Sequence, residues 1–277
     1  DKNYQLIPVD ADLDTWNMDL KKLDEAIQKH PNASVLIVHN IGNVINVPKL
    51  KAKYPNTQFV EDNCEGLFGA YSGQKTGTAS FASAISFFGN KNVTSGEGGA
   101  FITKDEDTYK VVKCVHGQGQ SDKRFVQHEL GYNYRMTNIQ AAILCGQLDV
   151  LKQILELKQN VFNTYRKAFA NREDIKIQIS DEDTTHANWM FGVRVPGSYD
   201  YERAELYFKS NGVEIRPMFY PITQHSHLLR SSAVLEADCT NASLLNRESF
   251  ILPSYPELSA DEQKHIIQTV NQFVKNH

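Results

Sequence analysis

The chain has 277 residues, of which 41% are apolar and 22% charged, a balance typical of a globular protein with a core large enough to fold unaided. Its net charge of −4 argues against a polybasic surface for nucleic acid. No uninterrupted apolar stretch approaches the roughly 20 residues needed to cross a bilayer, so we expect neither nucleic acid nor a membrane as a partner.

The first half of the chain alternates predicted strands with helical segments. Short apolar runs predict strands over residues 34–39, 58–61, 82–88 and 99–103, and a proline in the first turn of 48–54 predicts a short helix there. Strands separated by helices and loops indicate an α/β layered fold. In such folds, ligands gather at the carboxyl ends of the strands.

The second half begins with a long helical pattern. It starts at Thr137, which fits a capping box with Gln140, and runs to about residue 170. The α+β unit after it has predicted strands at 175–179, 189–195 and 213–216 and helices at 201–210 and 259–275. We therefore predict a large α/β domain over residues 1–150, and a linker helix with a small α+β domain over residues 151–277.

The cysteines and histidines give no sign of a metal or redox site. The four cysteines form no Cys-x-x-Cys pair, so we expect free thiols. His225 and His227 have no third ligand at a suitable spacing, which favours a solvated loop. Because the chain also starts without a basic-then-apolar signal pattern, we predict a cytoplasmic protein without a metal site.

Three residues with useful chemistry, Asp62, Ser86 and Lys91, lie within or just past predicted buried strands. A carboxylate and an amine at one sheet edge could form an ion pair and nothing more. They could also form a covalent site, because a partly desolvated lysine loses its proton readily and attacks an aldehyde. A buried Asp can keep the pyridine nitrogen of pyridoxal phosphate protonated. Spacing alone leaves both interpretations open.

A set of motifs favours the covalent site over the simple ion pair. The motifs are PVD at 8–10, WNMD at 16–19, VEDNCEGLFG at 60–69, SFFGNKNVTSGEGG at 86–99, GYNYRMTN at 131–138, RPMFYP at 216–221 and LPSYP at 252–256. In content and order they resemble the DegT/StrS family of sugar-nucleotide aminotransferases over essentially the whole chain. The SFFGNK form and the position of Glu65 are most similar to its GDP-perosamine synthase branch.

The resemblance implies the type I fold of pyridoxal-phosphate-dependent aminotransferases, with a mainly parallel sheet in the large domain and a smaller carboxyl-terminal α+β domain. It implies that Lys91 binds the cofactor covalently and shuttles a proton, and that Asp62 pairs with the pyridinium nitrogen. Ser86 would contact the cofactor phosphate, and Glu65 would lie beside the cofactor ring. Asn133 would reach the phosphate of a neighbouring subunit's cofactor, so a homodimer with shared sites is expected.

The implied reaction moves an amino group from glutamate to C4 of a nucleotide-linked 4-keto-6-deoxyhexose, as in polysaccharide biosynthesis. The substrate loop departs from the perosamine branch, because Thr223 stands where that branch has a histidine. The nucleotide therefore stays open among GDP, UDP and dTDP. Trp189, Tyr220 and Thr223 are the candidate substrate contacts, although the two aromatic residues could instead belong to the core.

The family is normally longer at its amino end, where a Gly-Thr-x-Ala turn cradles the phosphate and an aromatic side chain stacks on the ring. Neither feature occurs here, so we expect that the amino-terminal part is missing from this sequence. Two alternatives stay open. A pyridoxal-phosphate-dependent deoxysugar dehydratase would carry a histidine at the position of Lys91, and a catalytically inactive sugar-nucleotide-binding scaffold would explain the absent motifs.

Overall fold

The computed structural model describes residues 4–197, 200–231, 234 and 237–276. The helices are α1 (Leu20–Lys29), α2 (Val47–Lys53), α3 (Glu106–His116), α4 (Asn138–Asp149), α5 (Leu151–Phe169), α6 (Tyr201–Ser210), α7 (Ser226–Ser231), α8 (Thr240–Glu248) and α9 (Ala260–Asn276). The strands are β1 (Val35–Val38), β2 (Phe59–Asp62), β3 (Ala70–Tyr71), β4 (Gln74–Lys75), β5 (Ala82–Ser86), β6 (Gly99–Thr103), β7 (Thr184–Thr185), β8 (Phe191–Arg194), β9 (Arg216–Pro217) and β10 (Ser249–Leu252). Within these residues, no helix has the length and apolar character to span a membrane.

The central sheet has the strand order β1-β2-β5-β6. Its first three strands run parallel, and the register places Val38 opposite Asp62 and Asp62 opposite Ala84. β6 is antiparallel to β5, with Gly99 opposite Ser86. The carboxyl ends of the parallel strands therefore meet at one edge of the sheet, as the predicted α/β architecture requires.

Helices α1 and α2 pack on one face of this sheet. Alternate residues of a strand point to the same side, so Val35 and Ile37 of β1 both bury their side chains against these helices. Asp19 caps α1 by accepting hydrogen bonds from the amides of Lys21 and Lys22, and Asn46 caps α2 through the amide of Lys49. The buried apolar residues of this layer are Leu23, Ile27, Val35, Ile37, Ile45, Val47, Leu50 and Phe59. Burial of these side chains holds the strand ends in place.

A second, antiparallel sheet with the order β8-β10-β9 lies in the carboxyl-terminal part. Residues of α5, α6 and α9 form one apolar cluster with it. The cluster's fully buried aromatic residues are Phe162, Tyr165, Phe169, Phe208, Phe250 and Phe273. The start of α9 shows the expected cap, since Ser259 N donates to Glu262 Oε2 at 2.9 Å and Glu262 N donates to Ser259 Oγ at 3.3 Å.

The predicted single helix from Thr137 to about residue 170 is wrong, because the structure divides it into α4 and α5. The break lies at Val150, whose φ of −108° and ψ of 14° leave the helical range. The capping box of Thr137 and Gln140 is present as predicted. Apolar periodicity continues across the break, and neither Pro nor Gly marks it. The break coincides with the proposed boundary between residues 1–150 and 151–277, and that division stays a prediction.

Several predicted strands are shorter than the apolar pattern suggests, and two of them are reduced to a single paired residue of the predicted range. Segment 175–179 pairs with β8 only where Lys176 and Arg194 exchange backbone hydrogen bonds of 2.7 and 2.8 Å. Its continuation leaves the sheet, because the side chain of Gln178 donates to backbone carbonyls of the amino-terminal loops. Segment 213–216 reduces to β9, since pairing with β10 begins only at its last residue.

Candidate active site

Lys91 lies in a turn that follows β5 and folds back over the end of the central sheet. Its amide donates to the carbonyl of Phe88 at 3.0 Å. The hydroxyl of Thr94 and the amide of Ser95 both donate to the carbonyl of Phe87, at 2.9 and 3.0 Å. These local bonds close the turn and hold the backbone of Lys91.

The side chain of Lys91 faces the indole of Trp189. Its Nζ lies 3.7 Å from the centroid of the ring, within the range of a cation–π contact. The indole Nε1 donates to the carbonyl of Asn90 at 2.9 Å, and Asn92 Nδ2 donates to the carbonyl of Ala187 at 2.8 Å. Segments 90–92 and 187–189 are thus joined through the residues on either side of Lys91. The buried ring of Trp189 shields one side of the amine from water.

Two carboxylates at and just after the end of β2 lie near enough to Lys91 to act on it electrostatically. Asp62 is the last residue of that strand, and its Oδ1 accepts the amide of Cys64 at 3.1 Å. In the following turn, Glu65 Oε2 accepts the amide of Ile41 at 2.7 Å. Both carboxylates act electrostatically on Lys91 and favour its charged form. The structure therefore brings together Asp62, Glu65, Lys91 and Trp189, all of which the sequence singles out.

Burial is the largest influence on the pKa of Lys91 and on that of Glu65. It lowers the pKa of Lys91, against the opposing effects of Glu65, Cys64 and Asp62. It raises the pKa of Glu65 to about 7, although the amide of Ile41 and the amine of Lys91 favour the carboxylate. An amine with a lowered pKa gives up its proton more easily than an exposed lysine does, and the neighbouring carboxyl of Glu65 titrates near neutrality.

The hydrogen bond to Glu65 depends on the backbone of Ile41. With φ 47° and ψ 20°, this residue lies in the left-handed region, which costs a side-chain-bearing residue about 1–2 kcal/mol. Its side chain is fully buried in one apolar cluster with Trp16. The preceding amide, that of Asn40, is held by Asn17 Oδ1 at 2.9 Å. Packing thus imposes a conformation that directs the amide of Ile41 at Glu65.

A cavity of about 610 Å³ opens beside Lys91 and Trp189. Its volume is within the range of small-molecule sites. Lys91 and Trp189 form part of its wall. The rest of its wall includes residues of α5, β9, the end of β10, segment 253–258 and α9. Its other charged or titratable lining residues include Lys158, Glu214, Arg216, Glu257, Glu262 and His265.

Ser86, the predicted phosphate contact, ends β5 at the base of the Lys91 turn. It is half-buried, and its Oγ accepts the amide of Phe88 at 3.2 Å. A hydroxyl oxygen that accepts one hydrogen bond still has its hydrogen to donate. Ser86 ends β5 and Asp62 ends β2. Because these two strands are adjacent and parallel, both residues lie at the same edge of the sheet.

The other predicted site residues lie apart from Lys91. Asn133 is exposed, in a segment bridged to Gly117. Tyr220 is 53% exposed and Thr223 is half-buried, both in the loop before α7. Within the described part of the chain, no hydrogen bond or ring contact links these three residues to Lys91. Their roles in binding stay predictions.

Two residues at the site were not predicted from the sequence. Ile41 contributes only its backbone amide, and no pattern in the sequence signals that contribution. Lys158 is 4% exposed and lies on the apolar stripe of α5, between Ile154 and Phe162. A lysine within an apolar stripe is a usable signal, because lysine is almost never fully buried unless its charge is paired.

The residues present fit pyridoxal phosphate. They supply one desolvated amine for its aldehyde, one strand-end carboxylate for its ring nitrogen and one free hydroxyl hydrogen for its phosphate. Among the described residues, no group of three or more His, Cys, Asp or Glu side chains is placed to hold a metal ion.

Comparison with known proteins agrees with this donor set. The sequence profile of the DegT/DnrJ/EryC1/StrS aminotransferase family matches residues 1–271. GDP-perosamine synthase of Escherichia coli O157:H7 is 31% identical over 273 residues, which cover 96% of this chain and 72% of that protein. GDP-perosamine synthase of Caulobacter vibrioides is 31% identical over 274 residues, again covering 96% and 72%.

Solved structures share the fold. A DegT DnrJ EryC1 StrS aminotransferase from Brucella abortus matches with a TM-score of 0.84 at 20% identity, over 96% of this chain and 73% of that one. Escherichia coli GDP-4-keto-6-deoxy-D-mannose-3-dehydratase with bound hydrated pyridoxal phosphate matches with a TM-score of 0.85 at 20% identity, over 96% and 74%. These likenesses confirm the predicted fold class.

Proposed function

Because the chain belongs to the DegT/DnrJ/EryC1/StrS aminotransferase family, we propose that it transfers an amino group from glutamate to C4 of a nucleotide-linked 4-keto-6-deoxyhexose. It is a pyridoxal-phosphate-dependent sugar aminotransferase, as predicted, and the proposal adds its two substrates. Three relatives named GDP-perosamine synthase support a 4-amino-4,6-dideoxyhexose as the product.

The convergence of Lys91 with Asp62 and Glu65 at the strand ends is the observation that carries this proposal. Amino transfer needs a base that removes a proton from one substrate carbon and returns it to a nearby atom. Because burial lowers the pKa of Lys91, its Nζ is a free base at a pH where an exposed lysine is still an ammonium ion. Lys91 therefore suits the role of proton carrier.

The neighbouring residues suit the cofactor. Pyridoxal phosphate, when bound, supplies an electron-withdrawing ring that stabilises negative charge on the substrate carbon. Asp62 would hold the proton on the ring nitrogen, and Ser86 would donate its hydroxyl hydrogen to the phosphate. The carboxyl of Glu65 would hold or release a proton beside the ring. Trp189 excludes water from one side of Lys91 Nζ.

Trp189, Tyr220 and Thr223 are the proposed contacts to the sugar nucleotide. Trp189 lies in the wall of the 610 Å³ cavity next to Lys91, where the reacting carbon must be held. Tyr220 exposes its ring and meets His225 edge-on with the centroids 5.3 Å apart. An exposed aromatic ring offers an apolar face to a sugar or a base.

We further propose a cytoplasmic homodimer with shared sites. Asn133 lies outside the Lys91 site of its own chain, on an exposed segment between the stacked rings of Tyr132 and Tyr134. Exposed aromatic residues are typical of protein–protein contacts. Asn133 on such a surface could reach the cofactor phosphate of a second copy.

A deoxysugar dehydratase is the alternative within the family, and one of the solved structures above carries that activity in its name. The resemblance places a histidine at the reactive position of such dehydratases. Here that position holds Lys91, with its amine against Trp189 and within electrostatic reach of both carboxylates. This arrangement favours amino transfer. An inactive scaffold is the other alternative, and the first experiment below excludes or supports it.

The first experiment measures cofactor binding. The protein is purified from cells that express its complete gene, and it is incubated with pyridoxal phosphate. We expect the visible absorption of lysine-bound cofactor, its loss in Lys91→Ala, and its retention in Lys75→Ala, which changes an exposed hairpin lysine. A wild-type protein that stays colourless and takes up no cofactor would support the scaffold.

The second experiment identifies the substrates. The holoenzyme is incubated with L-glutamate and, in turn, GDP-4-keto-6-deoxymannose, UDP-4-keto-6-deoxyglucose and dTDP-4-keto-6-deoxyglucose. We expect 2-oxoglutarate and an amino sugar with nitrogen on C4, identified by mass spectrometry and NMR. A product that has lost its C3 oxygen would instead establish the dehydratase.

A further inference from the structure

Lys158 is a second lysine at the cavity, buried where Lys91 is half-buried, and the proposed chemistry does not use it. Its Nζ has no ion-pair partner among the described residues, although Glu257 acts on it electrostatically from a distance. Burial lowers its pKa to about 7. Placing an amine in such surroundings is unfavourable unless hydrogen bonds compensate for the lost hydration, so its contacts need an explanation.

Those contacts are backbone carbonyls from two separate segments. Nζ donates to the carbonyl of Trp189 at 2.7 Å and also to the carbonyl of Ser254. Ser254 is tied back to the first segment, because its Oγ accepts the amide of Phe191 at 3.3 Å. Lys158 thus joins α5, the segment that enters β8 and the segment that leaves β10.

The same segment holds Trp189 against Lys91. Trp189 is fixed through its carbonyl by Lys158, and through its indole by the carbonyl of Asn90. The ring between these two anchors is the surface that Lys91 Nζ contacts at 3.7 Å. A continuous chain of contacts therefore runs from Lys158 through Trp189 to the proposed proton carrier.

We propose that Lys158 is a positioning residue, which holds the indole of Trp189 against Lys91 and so keeps water away from the reactive amine. This inference rests on the role proposed for Lys91. Without the ammonium group, the carbonyls of Trp189 and Ser254 lose a buried donor. The segment would then shift to let water reach them. Water at the cavity wall would also hydrate Lys91 and raise its pKa.

The first test needs neither cofactor nor substrate. The chain has two tryptophans, Trp16 and Trp189, so the emission lost in Trp189→Phe defines the signal of Trp189. In Lys158→Met we expect this signal to shift to longer wavelength and to become quenchable by acrylamide. Lys152→Met makes the same change on the exposed face of the same helix, and should leave the emission unchanged.

The second test asks whether the effect reaches Lys91. In Lys158→Met saturated with pyridoxal phosphate, we expect the pH midpoint of the visible absorption to rise. We also expect kcat to fall roughly tenfold or more while KM changes less, since small displacements of reacting groups carry such costs. Lys158→Arg keeps two donors and a charge, and should restore most of the wild-type behaviour.

Unchanged Trp189 emission and an unchanged absorption midpoint in folded Lys158→Met would overturn the proposal. If circular dichroism shows that this variant does not fold, Lys158→Gln is measured instead: its amide donor ends one bond short of the lysine Nζ, so we expect the same shifts at reduced size, and wild-type emission with a wild-type midpoint would overturn the proposal. The emission test does not depend on any sugar substrate. Its failure is therefore distinguishable from a failure of the proposed reaction.

Discussion

The imidazole of His39 and the carboxylate of Glu61 form a buried pair at the ends of β1 and β2, with Nε2 and Oε2 2.9 Å apart. The amide of Ile45 donates to Nδ1 of His39 at 3.1 Å, so the ring proton resides on Nε2 and is donated to Glu61. Glu61 also accepts the amides of Gly77 at 2.8 Å and Ser80 at 3.3 Å. This network immobilises the strand end that presents the site carboxylate.

Glu61→Gln should lower the free energy of unfolding at neutral pH by about 1–3 kcal/mol, because buried donors lose their charged acceptor. Burial raises the pKa of Glu61, but the hydrogen bonds from His39, Ser80 and Gly77 outweigh it, so the pKa lies below the ordinary value of 4.5. The stabilisation is therefore complete above pH 4.5 and is lost as pH falls through the folded-state pKa.

Urea denaturation from neutral to acid pH checks this prediction. The wild type should lose stability on acidification more steeply than Glu61→Gln. Glu173→Gln, at an exposed position, should follow the wild type. Equal acid sensitivity of the wild type and Glu61→Gln would contradict the assigned network.

Asp10→Asn should destabilise the fold by about 1–3 kcal/mol, measured by thermal denaturation. The buried carboxylate receives Lys22 Nζ at 2.7 Å and the amides of Asn241 and Ala242, at 3.1 and 2.8 Å, at the start of α8. Lys22→Met removes only the ion pair, whose lysine is partly exposed. It should lower the free energy of unfolding by less than about 1 kcal/mol. If both variants were equally destabilised, the contribution of Asp10 to α8 would be disproved.

Trp189→Leu should raise the pKa of Lys91, because water would reach the amine. Burial is the largest influence on this pKa, so hydration should outweigh the loss of the cation–π contact. The rising limb of the pH–kcat profile should move to higher pH, with kcat at neutral pH reduced roughly tenfold or more. Tyr109→Leu, which alters an exposed ring on α3, should leave the profile in place. A profile of unchanged position in Trp189→Leu would refute the shielding role.

Glu65→Gln should remove a pH dependence of stability. Burial raises the pKa of Glu65 to about 7 from its ordinary value of 4.5. A raised folded-state pKa gives stabilisation that is complete below pH 4.5 and is lost as pH rises through 7. Over that window the wild type should lose on the order of 3 kcal/mol relative to Glu65→Gln, because one pKa unit corresponds to about 1.4 kcal/mol. Melting temperatures across this pH range test it, with the exposed Glu97→Gln as control. Parallel curves for the wild type and Glu65→Gln would rule out the assigned burial.

Local patterns predicted most of the elements. The apolar run that contains β1, the glycine-rich turn before β6 and the capping boxes at Thr137 and Ser259 all appear where their residues indicate. One prediction was wrong where a distant contact decides the backbone: segment 175–179 leaves its sheet because Gln178 binds carbonyls of the amino-terminal loops. Another was wrong at Val150, where the helix breaks although the apolar pattern continues.

The sequence by itself determined which groups stand at the strand ends. Asp62 and Lys91 follow runs that can form buried strands, Ser86 lies within one, and parallel strands bring their ends to one edge. Only the tertiary structure decided how those groups behave. The burial of Glu65, the left-handed turn at Ile41 and the indole placed over Lys91 arise from segments far apart in the chain. Proton affinity depends on the water and charge around an atom, and no local run of residues specifies those surroundings.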